Sequence, residues 1–222
     1  MNRTIRSWID GWVMSRGAAQ PITEPWGWTI DVGRPDHVTR HVLGEIGDGV
    51  DERTVRKVAE SVTGAGVWLK VFRDPAETGA WLNADWWIDP EPGYLMTTSL
   101  QESQKAPEPA PHNHRLGVWT SAGVTRAMIA APDGSLAARG QIAVTGPTAV
   151  ADQIETTPAH RRKGLASLIM RTLQHTAARR GADRAILAGT PAGRALYESL
   201  GWTTEAPLTS ARFLGAGGGA PR

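Results

Sequence analysis

The sequence predicts an α/β (α+β) fold: a mostly antiparallel mixed sheet flanked by helices in the C-terminal part, preceded by a smaller Trp-rich α/β half. Three observations carry that expectation. Short strand-like runs follow one another with turn signals between them. A helix of 3.6-residue period opens directly after a turn rich in glycine and cations. An apolar run then leads into a second helix start, so that an antiparallel meander is followed by helix, strand, helix and a last strand.

In chain order, Ile5, Trp8, Ile9, Trp12 and Val13 space as one helical stripe. Val38, His41, Val42 and Ile46 suggest a second helix, and Val55, Val58, Ala59 and Val62 a third. Residues 67–72 and 94–98 read as strands. Residues 101–113 are polar and Pro-rich and read as a linker between a 1–100 module and a 114–214 domain. Beyond it, 116–119 and 124–130 read as strands, Asp133-Gly134 as a hairpin turn, 136–144 as the returning partner and 149–156 as the next strand. Leu165, Leu168, Ile169, Thr172, Leu173 and Thr176 fall on one helical face, and Gly181 stops that helix. Residues 184–188 form a short apolar run, read as a buried strand. Thr190-Pro191 supplies an N-cap followed by proline at the first helical position, and Ala195, Leu196, Ser199 and Leu200 continue to Gly201. The Gly-rich tail, 215–222, reads as disordered.

A length of 222 residues suits one large domain or two small ones, and 41% hydrophobic residues support an ordinary core. A net charge of +2 offers no global basic field for nucleic acid. The absence of cysteine removes disulfides, Cys-zinc sites and a cysteine nucleophile. The start lacks the apolar core of a signal peptide, and no run reaches the roughly 18 apolar residues of a membrane helix. The expectation is a cytoplasmic chain without a membrane or nucleic-acid partner; a homodimer is left open.

The stretch Thr156-Thr157-Pro158-Ala159-His160-Arg161-Arg162-Lys163-Gly164-Leu165-Ala166 carries the function. A strand-to-helix turn points free backbone N–H groups at one spot, and the helix dipole adds about half a positive charge there. Three cations sit where the dipole favours anions, which suggests a negative ligand, most often a phosphate. The spelling is neither G-x-x-x-x-G-K-[ST] nor G-x-G-x-x-G.

What matches is [Q/R]-x-x-G-x-[G/A], as Arg161, Gly164 and Ala166. This resembles the acetyl-CoA pyrophosphate loop of the GCN5-related N-acetyltransferase (GNAT) superfamily. The string Ala195-Leu196-Tyr197-Glu198-Ser199-Leu200-Gly201-Trp202 is similar to that family's A-x-x-L-Y-x-x-x-G-F ending in compacted form. The resemblance implies acetyl transfer from acetyl-CoA to a primary amine of a small molecule, by direct attack in a ternary complex and without a metal. It also admits a non-catalytic acyl-CoA sensor, or a protein lysine or N-terminal acetyltransferase. It implies contacts to the cofactor from Ile154, Glu155 and Thr156 on the strand, from Arg161, Arg162, Lys163, Gly164, Leu165 and Ala166 in the loop, and from Thr190, where the family often has Asn. Thr156 N–H would be the oxyanion donor and Tyr197 the general acid. Asp152 and Glu155 are the candidate bases; alternation puts them on opposite faces unless a bulge intervenes.

The family usually places two helices between its first and second strands to wall the acceptor site, whereas only a short gap separates Trp119 from Val124. Either the N-terminal hundred residues supply that wall, or the first strand lies earlier, near Tyr94. The arrangement resembles two-part acetyltransferases whose first half is a degenerate GNAT-like module. Eight of the ten tryptophans lie in the first hundred residues, as large core residues or as the wall of a pocket. His37 and His41 stand four apart, a metal-ligand spacing on a helix, but no third ligand accompanies them; an exposed helix face is the simpler reading. His112 and His114 fall in the linker, and His160 beside the loop.

Overall fold

The computed structural model describes residues 1–101, 108–111 and 113–215. Residues 102–107 and His112 of the expected linker, and 216–222 of the expected tail, lie outside the described residues.

Helix α1 (Arg3–Arg16) opens the chain, followed by β1 (Ile22–Glu24), β2 (Gly27–Arg34), β3 (His37–Ile46), α2 (Glu52–Glu60), β4 (Val67–Phe72), α3 (Pro75–Gly79), β5 (Trp86–Ile88) and β6 (Gly93–Ser99). Then come β7 (Arg115–Ser121), β8 (Val124–Ala130), β9 (Leu136–Thr145), β10 (Thr148–Thr156), α4 (Leu165–Ala178), β11 (Arg184–Gly189), α5 (Pro191–Ser199) and β12 (Thr203–Phe213). The strands form one sheet in the order β1-β2-β3-β4-β12-β6-β11-β10-β9-β8-β7, with β5 also on β12. All neighbours are antiparallel except β3 with β4 and β10 with β11. The fold is therefore α+β with a mixed, mostly antiparallel sheet, as the sequence predicts.

One expected helix is a strand. Val38, His41, Val42 and Ile46 lie on β3, paired with β2 on one side and β4 on the other. The middle of β3 is buried on both faces, at Arg40, Val42, Leu43 and Gly44, so it shows no period-2 alternation to oppose the chance helical spacing. His37 and His41 thus stand on a strand, not on a helix face.

Two strands knit the halves of the chain together. β6 lies between β11 and β12, pairing along its length with β11. β12 pairs β6 through its first half, and β4 and β5 through its second. The sheet is covered on both sides, and strand alternation divides its residues between two cores. Ala149, Ala151, Ala185, Leu187 and Met96 join the core under α4. Val150, Ile186 and Leu95 face the other way, into the core built on α1.

Helix α1 is placed by its own sequence. Asn2 caps it, its Oδ1 accepting from Thr4 N–H at 2.9 Å, and Gly17 ends it at φ 62°. Ile5, Trp8, Ile9, Trp12 and Val13 are all buried, with Trp8 edge-on to Phe72 of β4 at 5.7 Å. Gly11 lies on the same face. A Cβ there would sit 2.5 Å from Val150 Cβ, so only glycine lets the helix lie directly on β10. Glycine inside a helix costs about 1 kcal/mol relative to alanine, which the close packing offsets.

Candidate active site

The site begins where two strands part. β10 and β11 pair only over Thr148–Val150 and Arg184–Ile186, yet β10 runs on to Thr156 and β11 to Gly189. The cause is a bulge in β10: its register on β9 shifts between Asp152 and Glu155, and Gln153 has φ 55°. Beyond Val150 the β10 edge facing β11 has no strand partner among the described residues. Thr157 N–H donates to Ala137 O on β9 at 3.0 Å. Alternation therefore turns Thr156 N–H toward the open edge.

The open edge leads into the cation-rich turn. A 3₁₀ turn, Pro158–His160, is followed by Arg162 at φ 64° and by Gly164 at φ 75°, which is the N-cap of α4. A left-handed arginine is unusual, since the conformation is strained for a residue with a side chain. No side chain caps α4, its first turn carries no acidic residue, and no atom lies within 4 Å of where a Gly164 Cβ would stand. Arg161, Arg162, Lys163 and Gly164 are exposed, Ala166 is half-buried, and the Leu165 side chain is buried in the core, leaving only its backbone for a ligand. The turn has the free N–H groups, the space and the charge that a diphosphate requires.

On the α1 side the parting strands open into a cleft of about 210 Å³, lined by Ala151 and Asp152 of β10, Gly189, Thr190, Trp12 and Arg16, among others. Asp152 accepts from Arg16 Nε at 2.5 Å and Nη2 at 2.8 Å, and from Ser15 Oγ at 2.8 Å. Gln141 Nε2 donates to Ser15 O and Oγ, tying this group to β9. A carboxylate has about four acceptor sites, so Asp152 keeps one for a ligand. Glu155 is paired with Arg139, its Oε2 2.9 Å from Nη2, and does not line the cleft. On β9, Gln141 stands opposite Asp152 and Arg139 opposite Glu155. Because those two share a strand face, the bulge brings both carboxylates to the same face of the sheet. Ile154 packs into the core under α4.

Tyr197 is buried behind Gly189. A Cβ on Gly189 or Gly193 would stand 2.8 or 2.9 Å from Tyr197 Cε2, so both glycines make room for the ring. Burial, aided by the charge of Asp152, pushes the Tyr197 hydroxyl up to about 12. It is therefore neutral at physiological pH. Thr190 caps α5, its Oγ1 accepting from Gly193 N–H at 3.2 Å, so this hydroxyl is engaged in local structure.

The model of the acetyltransferase (GNAT) family matches residues 77–202, more than half of the chain. The chain belongs to the GNAT acetyltransferase family. Among solved structures, a GCN5-related N-acetyltransferase from Kribbella flavida is 16% identical, with 96% of each chain covered and a TM-score of 0.62. An acetyltransferase of the GNAT family from Novosphingobium aromaticivorans DSM 12444 is 16% identical, covering 95% of this chain and 96% of that one, with a TM-score of 0.55. A tandem GNAT protein from the clavulanic acid biosynthesis pathway is 13% identical, covering 70% and 65%, with a TM-score of 0.52. At such identities these likenesses show the fold alone. No curated protein sequence matches the chain.

GNAT membership makes acyl-CoA the donor, and the parted strands and the turn after β10 fit its pantetheine and diphosphate. Several cleft residues escape the sequence reading: Arg16, Arg40 and Lys70. Lys70 left a trace, a lone cation inside the apolar run Val67-Trp68-Leu69-Lys70-Val71-Phe72. Arg16 left another, four residues after Trp12 on the helical stripe. The tryptophans answer to both expectations. Trp28, Trp86 and Trp202 are core residues, while Trp8 and Trp12 are buried and also line the cleft. His37 Nε2 accepts from Arg40 Nε at 3.2 Å; burial, then Arg40, Lys70, Arg16 and Arg34, push it down to about 3, so it is neutral. His41 Nδ1 lies 3.0 Å from Thr29 Oγ1. His160 Nδ1 lies 3.3 Å from His114 Nε2, beside the turn.

Proposed function

We propose that the chain transfers an acetyl group from acetyl-CoA to a primary amine of a small molecule, by direct attack within a ternary complex. One observation supports this reading: the open β10 edge runs from the cation-rich turn to Asp152 in the cleft, and Tyr197 packs behind Gly189, which lines the same cleft. Arg161, Arg162, Lys163 and the amides of Gly164, Leu165 and Ala166 hold the diphosphate. Ile154, Glu155 and Thr156 offer backbone to the pantetheine, and Thr190 lines the cleft. Thr156 N–H bonds the thioester oxygen as it gains charge, a contribution of about 10²–10³ in rate for one such donor.

The neutral amine attacks the carbonyl carbon; the C–N bond forms, the C–S bond breaks, and the thiolate takes the Tyr197 proton, which the amine's surplus proton restores through solvent. Of the two carboxylates, Asp152 is the one in the cleft. Its remaining acceptor site receives an amine N–H and orients the lone pair, while Glu155 stays with Arg139. Tyr197→Phe tests the assignment. Turnover, followed as free CoA thiol with a panel of small amines, should fall about 10²–10⁴-fold, with acetyl-CoA affinity by calorimetry unchanged. Wild-type protein that binds acetyl-CoA yet releases no thiol with any amine would instead be a sensor, and the enzyme reading would be wrong.

A further inference from the structure

The cleft is lined by two cations that have no carboxylate partner among the described residues. Arg40, on β3, is 8% exposed. Its Nε donates to His37, and its guanidinium carbon stands 4.0 Å from the ring centroid of Trp12 on α1. No protein acceptor takes its other N–H groups among the described residues, and Arg40 lines the cleft, so these donors are presented to a ligand. Lys70, on β4, donates to Ser210 Oγ at 2.6 Å and stands over Trp68 at 4.7 Å, leaving two ammonium protons free. The other charged groups lining the cleft are Arg16, Asp152, Asp89 and Glu91. Arg16 and Asp152 neutralise each other, and no carboxylate lies within 4.0 Å of Arg40 or Lys70 among the described residues.

Buried charges are ordinarily paired, because desolvation is costly. Burial pushes Arg40 down to about 9, Arg16 adding to it and Asp152 opposing, so it stays charged near neutrality. Burial, reinforced by Arg40, also pushes Lys70 well below its usual range, against the pull of Asp89. An anion seated between them would relieve both.

Resting on the acetyl-transfer reading, we propose that the acceptor is an amino acid-like molecule whose carboxylate binds Arg40 and Lys70 while its amine reaches Asp152 and the open β10 edge. A cleft of about 210 Å³ is below the usual 300–1,000 Å³ of ligand pockets, which suits a small acceptor. Polyamines, with a second cation where the carboxylate belongs, are excluded by repulsion from the same pair.

The test uses matched sets of probes: free amino acids, their carboxamides, and the amines lacking the carboxyl group. Titrated against the full chain and followed by the difference in tryptophan fluorescence between wild type and Trp12→Phe, the amino acids that bind should saturate and their amides should not. In thiol-release assays kcat/KM should favour the carboxylate form by about ten- to a hundredfold, the worth of one or two charge-assisted hydrogen bonds. Arg40→Gln and, separately, Lys70→Gln should erase that preference by raising KM, with acetyl-CoA affinity and thermal midpoint as controls for folding. Equal use of amide and acid, or preference surviving in both variants, would overturn the proposal. So would a preference for succinyl-CoA over acetyl-CoA lost in Arg40→Gln, which would place the carboxylate on the acyl group. Saturable carboxylate binding without any transfer would leave the anion site standing and remove the transferase reading.

Discussion

The two ends of the candidate site are both cationic, and they are built in opposite ways. The turn before α4 takes its charge from three consecutive exposed residues, Arg161, Arg162 and Lys163, and its donors from backbone amides. The cleft takes its charge from Arg16 on α1, Arg40 on β3 and Lys70 on β4, residues far apart in sequence and partly or wholly buried. The turn is a local object whose geometry follows from a bulge, a left-handed arginine and a glycine. The cleft exists only because α1 lies on β10 and because β12 joins the two halves of the sheet. The lesson is that the turn and the cleft rest on separate physical supports, so the donor and acceptor roles proposed for them can be damaged separately.

The largest expected effect breaks the turn. Gly164→Glu forces a non-glycine residue to φ 75° and puts a carboxylate into the cradle, with open space around the Cβ. The fold should survive, since the strain is only about 1–2 kcal/mol. Calorimetry should show acetyl-CoA affinity down at least about a hundredfold, the cost of two tenfold steps of about 1.4 kcal/mol each; unchanged affinity would remove the turn from the site.

Gly11→Val attacks the other support. The new side chain meets Val150, so α1 must lift from β10. Overpacking of this kind costs about 1–3 kcal/mol. Denaturant unfolding should show that loss. KM for the acceptor should rise, by about tenfold, for a displacement worth about 1.4 kcal/mol, while acetyl-CoA affinity changes little. Equal damage to both affinities would mean that the two ends are not independent.

The smallest effect concerns acid. His37 titrates near 3 in the fold against 6.5 unfolded, so the unfolded chain binds more protons between those values. Stability should therefore fall as pH drops below about 6.5. His37→Gln keeps an acceptor for Arg40 without a titrating ring. Its thermal midpoint between pH 6.5 and 5, above the main carboxylate range, should be flatter than that of wild type. Identical curves would detach His37 from the cleft's electrostatics.

How much was legible follows the same division. The meander, α4, β11 and α5 could be read because each is specified by neighbours a few residues apart: a hairpin glycine, a 3.6-residue stripe, a Thr-Pro start. β3 was misread because a strand buried on both faces has no periodicity of its own to display. Asp152 was read as a base, and whether it shares a face with Glu155 turned on a bulge that no residue type announces. The Arg16 and Ser15 bonds that occupy Asp152 cross more than 130 residues of chain.

By itself the sequence determined the C-terminal run of meander, helix, strand and tyrosine helix and the cation-rich turn before α4, because capping, turn chemistry and helical spacing act within a few residues. Only the tertiary structure decided which strand lies inside the sheet, where β10 leaves β11, and which buried cations meet in one cleft. Those outcomes depend on close packing between segments a hundred or more residues apart, with Gly11 against Val150 as the tightest instance, and on charges whose partners no linear pattern records.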